Sequence, residues 1–380
     1  MKAPVRNFII RDDGGTREAE TLVIGRGIPL STTAGGLPEL ESLLLGQTQL
    51  MPSGGDDTQA IRDALARFGG VRLGPGEFNV SGTISLGTGQ SVAGCGSLRT
   101  TVRSTHAGAA FDLAGSGTSI RELELRGPGD YVIGSRGVVA TGATDVRLRG
   151  LRVLLFDRGV ALAQPSRVEV SQVKVLSVNA GISLIGPGAQ AAFSNVDVDG
   201  AQGWGISVAS MDCVSFTRVT VRDCAPGIQV SGCSSLEIQA ARISDCGEGL
   251  VLLTTRGAEV GGVHVFQCGS GIRVEGSLAV MLNGCSMVRV EETTLILRNC
   301  TAVTASGLLS DRTGQIQAVP PHVLVDGGST QVVLSGVQRV NPPVPPLYEV
   351  DVSGAGGRVV FIQHNFDPAR INSGGNFAAL

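Results

Sequence analysis

Asp197 and Asp199 stand two residues apart in Asn195-Val196-Asp197-Val198-Asp199, a run in which polar and apolar residues alternate. On a strand such residues share a face, about 6.5–7 Å apart between Cα atoms, so the carboxylates are placed as a pair. Basic residues recur around them: Lys174 upstream, then Arg218, Arg222, Arg242 and His264. Carboxylates beside guanidinium groups and an imidazole form a set able to cleave a glycosidic bond by acid–base catalysis, or to remove a proton beside a uronate. These six, Asp197, Asp199, Arg218, Arg222, Arg242 and His264, are the candidate catalytic residues. Lys174, Asn195 and Trp204, the single tryptophan of the chain, are candidates to bind a substrate. The same residues also suit an ordinary solvated sheet face with cross-strand ion pairs.

What would bring them together is a repeat. A glycine followed by apolar-x-apolar recurs at Gly137, Gly159, Gly181, Gly205, Gly227, Gly249 and Gly271, at spacings of 22, 22, 24, 22, 22 and 22 residues. A period this regular marks a solenoid whose turns bury their apolar sides against one another. Within each unit the pattern alternates, as in Arg167-Val168-Glu169-Val170, and Gly, Ser, Asn and Asp separate short runs. No helical pattern interrupts the units. The pattern predicts an all-β chain, a single-stranded right-handed parallel β-helix with three short strands per turn of about 22 residues, regular over 137–292. The fifteenth position after each glycine then forms an outward row of Lys174, Thr220, Arg242, His264 and Ser286, which Asp197 joins if the longer Gly181 unit carries one extra residue. Gln172, Asn195 and Arg218 flank the row on one side, Asp199 and Arg222 on the other. A second row holds Glu169, Glu237 and Glu259 and reads as a solvated acidic stripe.

Composition narrows the rest. Charged residues make up 17% and aromatics 4%, with 55 glycines among 380 residues, which suits stacked strands and excludes disorder. A net charge of −3 gives no reason to expect nucleic acid. No apolar run reaches the roughly 18 residues that a membrane span requires, and Met1–Asn7 leads into no signal-peptide core. The expectation is cytoplasmic synthesis without membrane insertion. Cys224, Cys246 and Cys268, three of eight cysteines, are 22 residues apart and read as an internal ladder of free thiols. Asp223 and Asp245 stand beside them at a turn, where hydrogen bonds to turn amides are expected. No metal or cofactor is expected, and His106, His322 and His364 read as incidental.

Residues 51–103 carry a family signature. Asp56-Asp57-Thr58-Gln59-Ala60-Ile61-Arg62-Asp63-Ala64-Leu65 precedes Gly69-Gly70-Val71-Arg72-Leu73-Gly74-Pro75-Gly76-Glu77-Phe78, and then Gly94-Cys95-Gly96. This resembles the opening of the pectate-lyase-like β-helix superfamily. Asp56 or Asp57 caps a helix over about 58–67, whose Ala60, Ile61, Ala64 and Leu65 plug the open end of the first coil. The resemblance implies a fold shared by polygalacturonase-like hydrolases, polysaccharide lyases, epimerases and phage tailspikes. It leaves the reaction open.

Three regions are expected: residues 1–50 as an attachment or cap region, 51–300 as the β-helix, and 301–380 as irregular last coils with a C-terminal cap. Three functions stay open. The favoured one is a spike or fibre component of a phage-like particle, a homotrimer or larger assembly joined through its N-terminal region and located in the virion. It binds surface polysaccharide and, in an active form, depolymerises it. The others are a stand-alone polysaccharide lyase, glycoside hydrolase or epimerase, and a non-catalytic scaffold. One tryptophan and two tyrosines supply few stacking faces for a polysaccharide groove within one chain.

Overall fold

The computed structural model describes residues 22–24, 28–30, 48–129, 132–311, 321–340, 349–362, 364–366, 368–372 and 377–379. The chain divides into two compact units, residues 1–46 and 47–380. In the first, Leu22–Ile24 pairs antiparallel with Ile28–Leu30. The rest of the attachment or cap region expected over residues 1–50, save 48–50, lies outside the described residues.

The second unit is a parallel β-solenoid of about 13 turns, about 23 residues each. Through Gln338–Val340 each turn contributes to three sheets. The first begins at the repeated glycines, with Arg136–Thr141, Arg158–Ala163 and Glu248–Leu253 among its strands. The second includes Arg167–Ser171, Ser235–Gln239 and Arg256–Gly261. The third includes Lys174–Val178, Arg242–Ser244 and His264–Phe266. Two strands, Ala180–Ala201 and Ile206–Arg222, run through the corners unbroken.

Alternation decides which side chains go in. On the third sheet Val175, Val198, Val221, Ile243 and Val265 point inward and are fully buried, in register coil upon coil. On the second sheet Phe193 stacks on Phe216, ring centroids 4.7 Å apart. Cys224, Cys246 and Cys268 are free and buried, as the ladder reading requires. Their thiols donate to the carbonyls of Arg222, Ser244 and Phe266.

The corners bend at left-handed residues. Between the second and third sheets Gln172, Asn195, Arg218 and Ala240 have φ of 55, 53, 55 and 56°, and Gly262 and Gly284 continue the column at 60°. The glycines that mark the period have a different cause. At Gly249 a Cβ would lie 2.6 Å from the Gly271 carbonyl oxygen and 2.7 Å from a Val265 methyl carbon, so the close approach of the next coil excludes any side chain.

Beyond Gly271 that column changes character. Its next members are Thr294, His322, Glu349 and Arg370, linked as before by Ile272 N–H to Thr294 O, Leu295 N–H to His322 O, His322 N–H to Glu349 O and Glu349 N–H to Arg370 O. Thr294 and His322 are fully buried and Glu349 nearly so. His322 therefore corrects the expectation of an incidental histidine: its Nδ1 lies 2.6 Å from Ser310 Oγ, which is 2.9 Å from Thr294 Oγ1. His106 is also engaged, with Ser104 Oγ 3.0 Å from its Nδ1. The period loosens after Thr301, mainly at one corner of the coil. The steps from Asp311 to Val323 and from Val340 to Val350 are longer than that from Val288 to Leu295, so most of the extra residues enter between the third and first sheets. Among the described residues the third sheet ends at Gln338–Val340, while the first and second continue to Ile371–Asn372 and Phe377–Ala379.

The helix at the start spans Thr58–Phe68. Asp57 is its N-cap but makes no side-chain cap bond. Asp56 accepts from Thr58 N–H at 3.0 Å instead, while Asp57 accepts from Ser53 N–H and Asn79 N–H. Bonds from Ser81 Oγ–H and Thr58 Oγ–H, with that from Thr58 N–H, hold the Asp56 carboxyl far below the usual carboxylate range. Ile61, Ala64 and Leu65 are buried against the first coil, whereas Ala60 is exposed. The plug is thus one residue narrower than expected, because Ala60 falls outside the inward stripe.

Candidate functional site

The strand register settles where the candidate residues stand. Lys174 is directly opposite Asp197, Asp197 opposite Thr220, Thr220 opposite Arg242, Arg242 opposite His264, and His264 opposite Ser286. The row predicted from the glycine count therefore exists, on the outward face of the third sheet. Asp199 opposite Arg222 forms the next row. The Glu169, Glu237 and Glu259 stripe lies on the second sheet; Glu237 and Glu259 help line a shallow depression with Met281, well separated from the first row.

Electrostatics bind the carboxylates tightly to their neighbours. Lys174 Nζ is 3.0 Å from Asp197 Oδ2. One guanidinium nitrogen, Arg222 Nη2, lies 3.5 Å from Asp197 Oδ1 and 2.9 Å from Asp199 Oδ2. Arg242, exposed on the same row, makes no ion pair among the described residues, nor does Arg218 at the corner. His264 Nδ1 hydrogen-bonds with Ser286 Oγ, and its ring lies nearly parallel to that of Phe266, centroids 6.4 Å apart. Partial burial, then the charge of Arg242, pushes its imidazole pKa below the ordinary histidine value. A neutral imidazole can accept a proton.

Asn195 and Arg218 are exposed along one edge of this face, in the left-handed corner. Trp204 lies beyond the other edge, one residue before Gly205, where its carbonyl accepts from Gly181 N–H. Its ring is half-buried, and the indole N–H has no partner among the described residues. The structure thus unites Lys174, Asp197, Asp199 and Arg222 in one ion-paired group. It sets Arg242 and His264 two and three strands further along the same face, about 10 and 14 Å from Asp197, borders them with Asn195 and Arg218, and sets Trp204 apart. Asp223 and Asp245 occupy left-handed corners with φ of 52 and 56°. Neither carboxylate makes the expected bond to a turn amide among the described residues. No group of three His, Cys, Asp or Glu side chains among the described residues is arranged to hold a metal ion.

Sequence reasoning missed the upstream end of the same face. Lys174 is opposite Arg152, and Arg152 opposite Glu124. Glu124 is almost fully buried although it points outward, between Arg126 Nη2 and Arg152 Nη1 at 2.8 Å each. Glu124 precedes the glycine frame, which begins at Gly137, and lies 28 residues before Arg152; Arg152 itself stands at the fifteenth position after Gly137, within reach of the count. Continued alternation through Arg121-Glu122-Leu123-Glu124-Leu125-Arg126 was the available signal.

Residues 180–308 match the family description of a right-handed β-helix region. The fold is a right-handed parallel β-helix. No functionally curated protein matches the sequence. Among solved structures the β-helix is similar to the A-module of a mannuronan C-5 epimerase from Azotobacter vinelandii, at 16% identity and a TM-score of 0.53, covering 86% of this chain and 96% of that one. It is also similar to the catalytic unit of a GH87 α-1,3-glucanase from Streptomyces thermodiastaticus, at 16% identity and a TM-score of 0.59, covering 83% and 67%. The Dettilon tailspike protein aligns at 13% identity with a TM-score of 0.51, covering 83% and 66%. At these identities the likeness is one of fold. Among the described residues no helix is long and apolar enough to cross a membrane.

Proposed function

We propose that this β-helix is a spike or fibre component of a phage-like particle, and that it binds surface polysaccharide along the outward face of its third sheet. One observation carries the reading: polar side chains, ionisable at every coil but that of Thr220, line that face from Lys174 to His264, one residue per strand in strict register. Neighbouring coils are about 4.8 Å apart, so an extended polymer lying along the axis meets a side chain at every coil. Arg218 and Arg242, free of ion pairs among the described residues, are left to meet an anionic group. The similarity to a tailspike, and to an epimerase and a glucanase whose names specify polysaccharides, supports the same ligand class. Residues 1–46, a unit of their own, suit an attachment role, and a homotrimer is the assembly this reading requires.

Light scattering on the purified protein tests the assembly. A stable trimer is the expected outcome, and a clean monomer overturns the spike form. Binding is tested against a panel of surface polysaccharides, with Arg218→Ala/Arg242→Ala expected to weaken capture of acidic ones about tenfold or more, the scale of losing charge-assisted hydrogen bonds.

A second reading is favoured by the Asp197 and Asp199 carboxylates meeting on one guanidinium nitrogen. Here the face is an active site of lyase, hydrolase or epimerase type, and His264 is the proton acceptor. Asp197→Asn and Asp199→Asn would then abolish polymer cleavage or epimerisation while leaving binding in place. If neither changes the products formed from acidic polysaccharides, this reading falls.

A further inference from the structure

The upstream end of the third sheet breaks a rule that the rest of the face obeys. Around Asp197, charges of opposite sign face each other across coils. Upstream, Arg126 is directly opposite Arg103, and Arg152 directly opposite Lys174. Like charges in direct opposition destabilise a sheet, so stability alone gives no reason for this placement. Beneath them lies Glu124, its side chain only 4% exposed, with one carboxylate oxygen 2.8 Å from Arg126 and the other 2.8 Å from Arg152. A carboxylate this deeply buried is tolerated because two charge-assisted bonds satisfy it.

The charges do not balance. One buried carboxylate serves two guanidinium groups, and among the described residues Arg103 has only the half-exposed Glu77, at 3.4 Å. Lys174 shares Asp197 with Arg222. The side chains of Arg126 and Arg152 are 40% and 34% exposed, so their remaining donors reach solvent while Glu124 fixes where they point. Arg126 Nε is buried with no partner among the described residues. Each guanidinium carries five N–H donors, far more than Glu124 occupies. Two forks held rigidly beside an excess of positive charge are built to receive an oxyanion.

We propose that Arg126 and Arg152, oriented by Glu124 and flanked by Arg103 and Lys174, form an oxyanion subsite separate from the Asp197–Asp199 pair. It takes a carboxylate or a sulfate ester of an acidic polysaccharide. The proposal rests on the polysaccharide reading for the source of that group, and on the local geometry alone for the site. Glu124 acts as a positioning residue: it aims the forks and lowers their net charge.

The test uses the full chain and small probes, sodium glucuronate and sodium sulfate, titrated calorimetrically at equal ionic strength against sodium chloride. Glucuronate, sulfate or both are expected to bind where chloride does not, and which of them binds identifies the source. Arg126→Ala/Arg152→Ala is expected to lose binding about tenfold or more. Glu124→Gln keeps the shape, removes one negative charge, and is expected to bind the probe more tightly than the natural chain. Arg152→Lys, which keeps the charge and loses the fork, is expected to fall in between and serves if the alanine variant fails to fold. Affinity equal to that for chloride, or unchanged in Arg152→Lys and in the alanine variant, overturns the proposal. Glucuronate binding without any polymer binding would sink the polysaccharide reading and leave this site standing. Polymer binding that ignores both substitutions would do the reverse.

Discussion

The coils from Gly181 to Gly271 and those from Thr294 to Arg370 share one backbone register and differ at one column. In the middle coils that column is glycine because the next coil leaves no room for a Cβ, and apolar side chains fill the interior. In the last coils it carries Thr294, His322 and Glu349 into the core. The inward row of the third sheet changes at the same level, from Val265 and Met287 to Ser310 and Arg339. The end of the stack is held by bonded polar groups: Thr294 to Ser310 to His322, and Arg339 Nη1 to Glu349 Oε1 at 2.5 Å. Close packing tolerates many apolar substitutes, but a buried polar network works only with every member present.

Breaking that network is expected to have the largest effect. Arg339→Leu leaves the buried Glu349 carboxylate without its guanidinium, at a cost of about 3–5 kcal/mol. Hydrogen exchange should then rise in residues 295–379 and stay unchanged over 137–271. Adding Glu349→Leu should restore most of the loss, since replacing both partners of a buried pair is often close to neutral; a double variant as unstable as the single one would contradict this account. In the middle coils, Gly249→Ala forces a methyl against the Gly271 carbonyl and Val265 and is expected to cost about 1–3 kcal/mol, read as a lower urea midpoint. A change of opposite sign sharpens the contrast at the corners. Ala240 is left-handed where Gly262, Gly284, Gly307 and Gly336 continue its column, so Ala240→Gly should stabilise by about 0.5–1 kcal/mol, the relief of a Cβ there set against added chain entropy.

The smallest effect concerns His264. Its folded pKa is depressed, so the unfolded chain binds the proton more readily. Its contribution to stability is therefore present above the ordinary histidine pKa and is lost as pH falls through that value toward the folded one. Its NMR titration midpoint should lie below that of an unstructured histidine, and Arg242→Ala should raise it. An unchanged midpoint in that variant would remove Arg242 as a cause.

Much of this was legible because a solenoid writes its contacts at a fixed separation. Counting from the glycines placed Lys174, Thr220, Arg242, His264 and Ser286 in one row, and Asp197 joined once the longer unit was given one extra residue. The count failed where its marker failed. Glu124 precedes the first glycine of the frame and lies 28 residues, not 22, before its partner Arg152, whereas Arg152 stands at the fifteenth position after Gly137 and was within reach of the count. His322 was misread because it occupies a glycine position in a turn whose length has changed, so its equivalence to Gly271 shows only in the hydrogen bonds. Ala60 was assigned to the plug on residue type, and a helix face is decided by angle.

The hydrogen bonds between coils run along the axis of the solenoid, while the covalent chain runs around it. A pull along that axis is therefore carried by non-covalent bonds, loaded in parallel across the sheets that meet at each junction. The peptide chain takes up the tension only after a junction has parted. Tensile strength is set by the weakest junction and does not grow with the number of coils. Compression along the same axis presses packed side chains and backbones together, with no bond to peel apart. Such a rod is far better suited to being pushed than to being pulled.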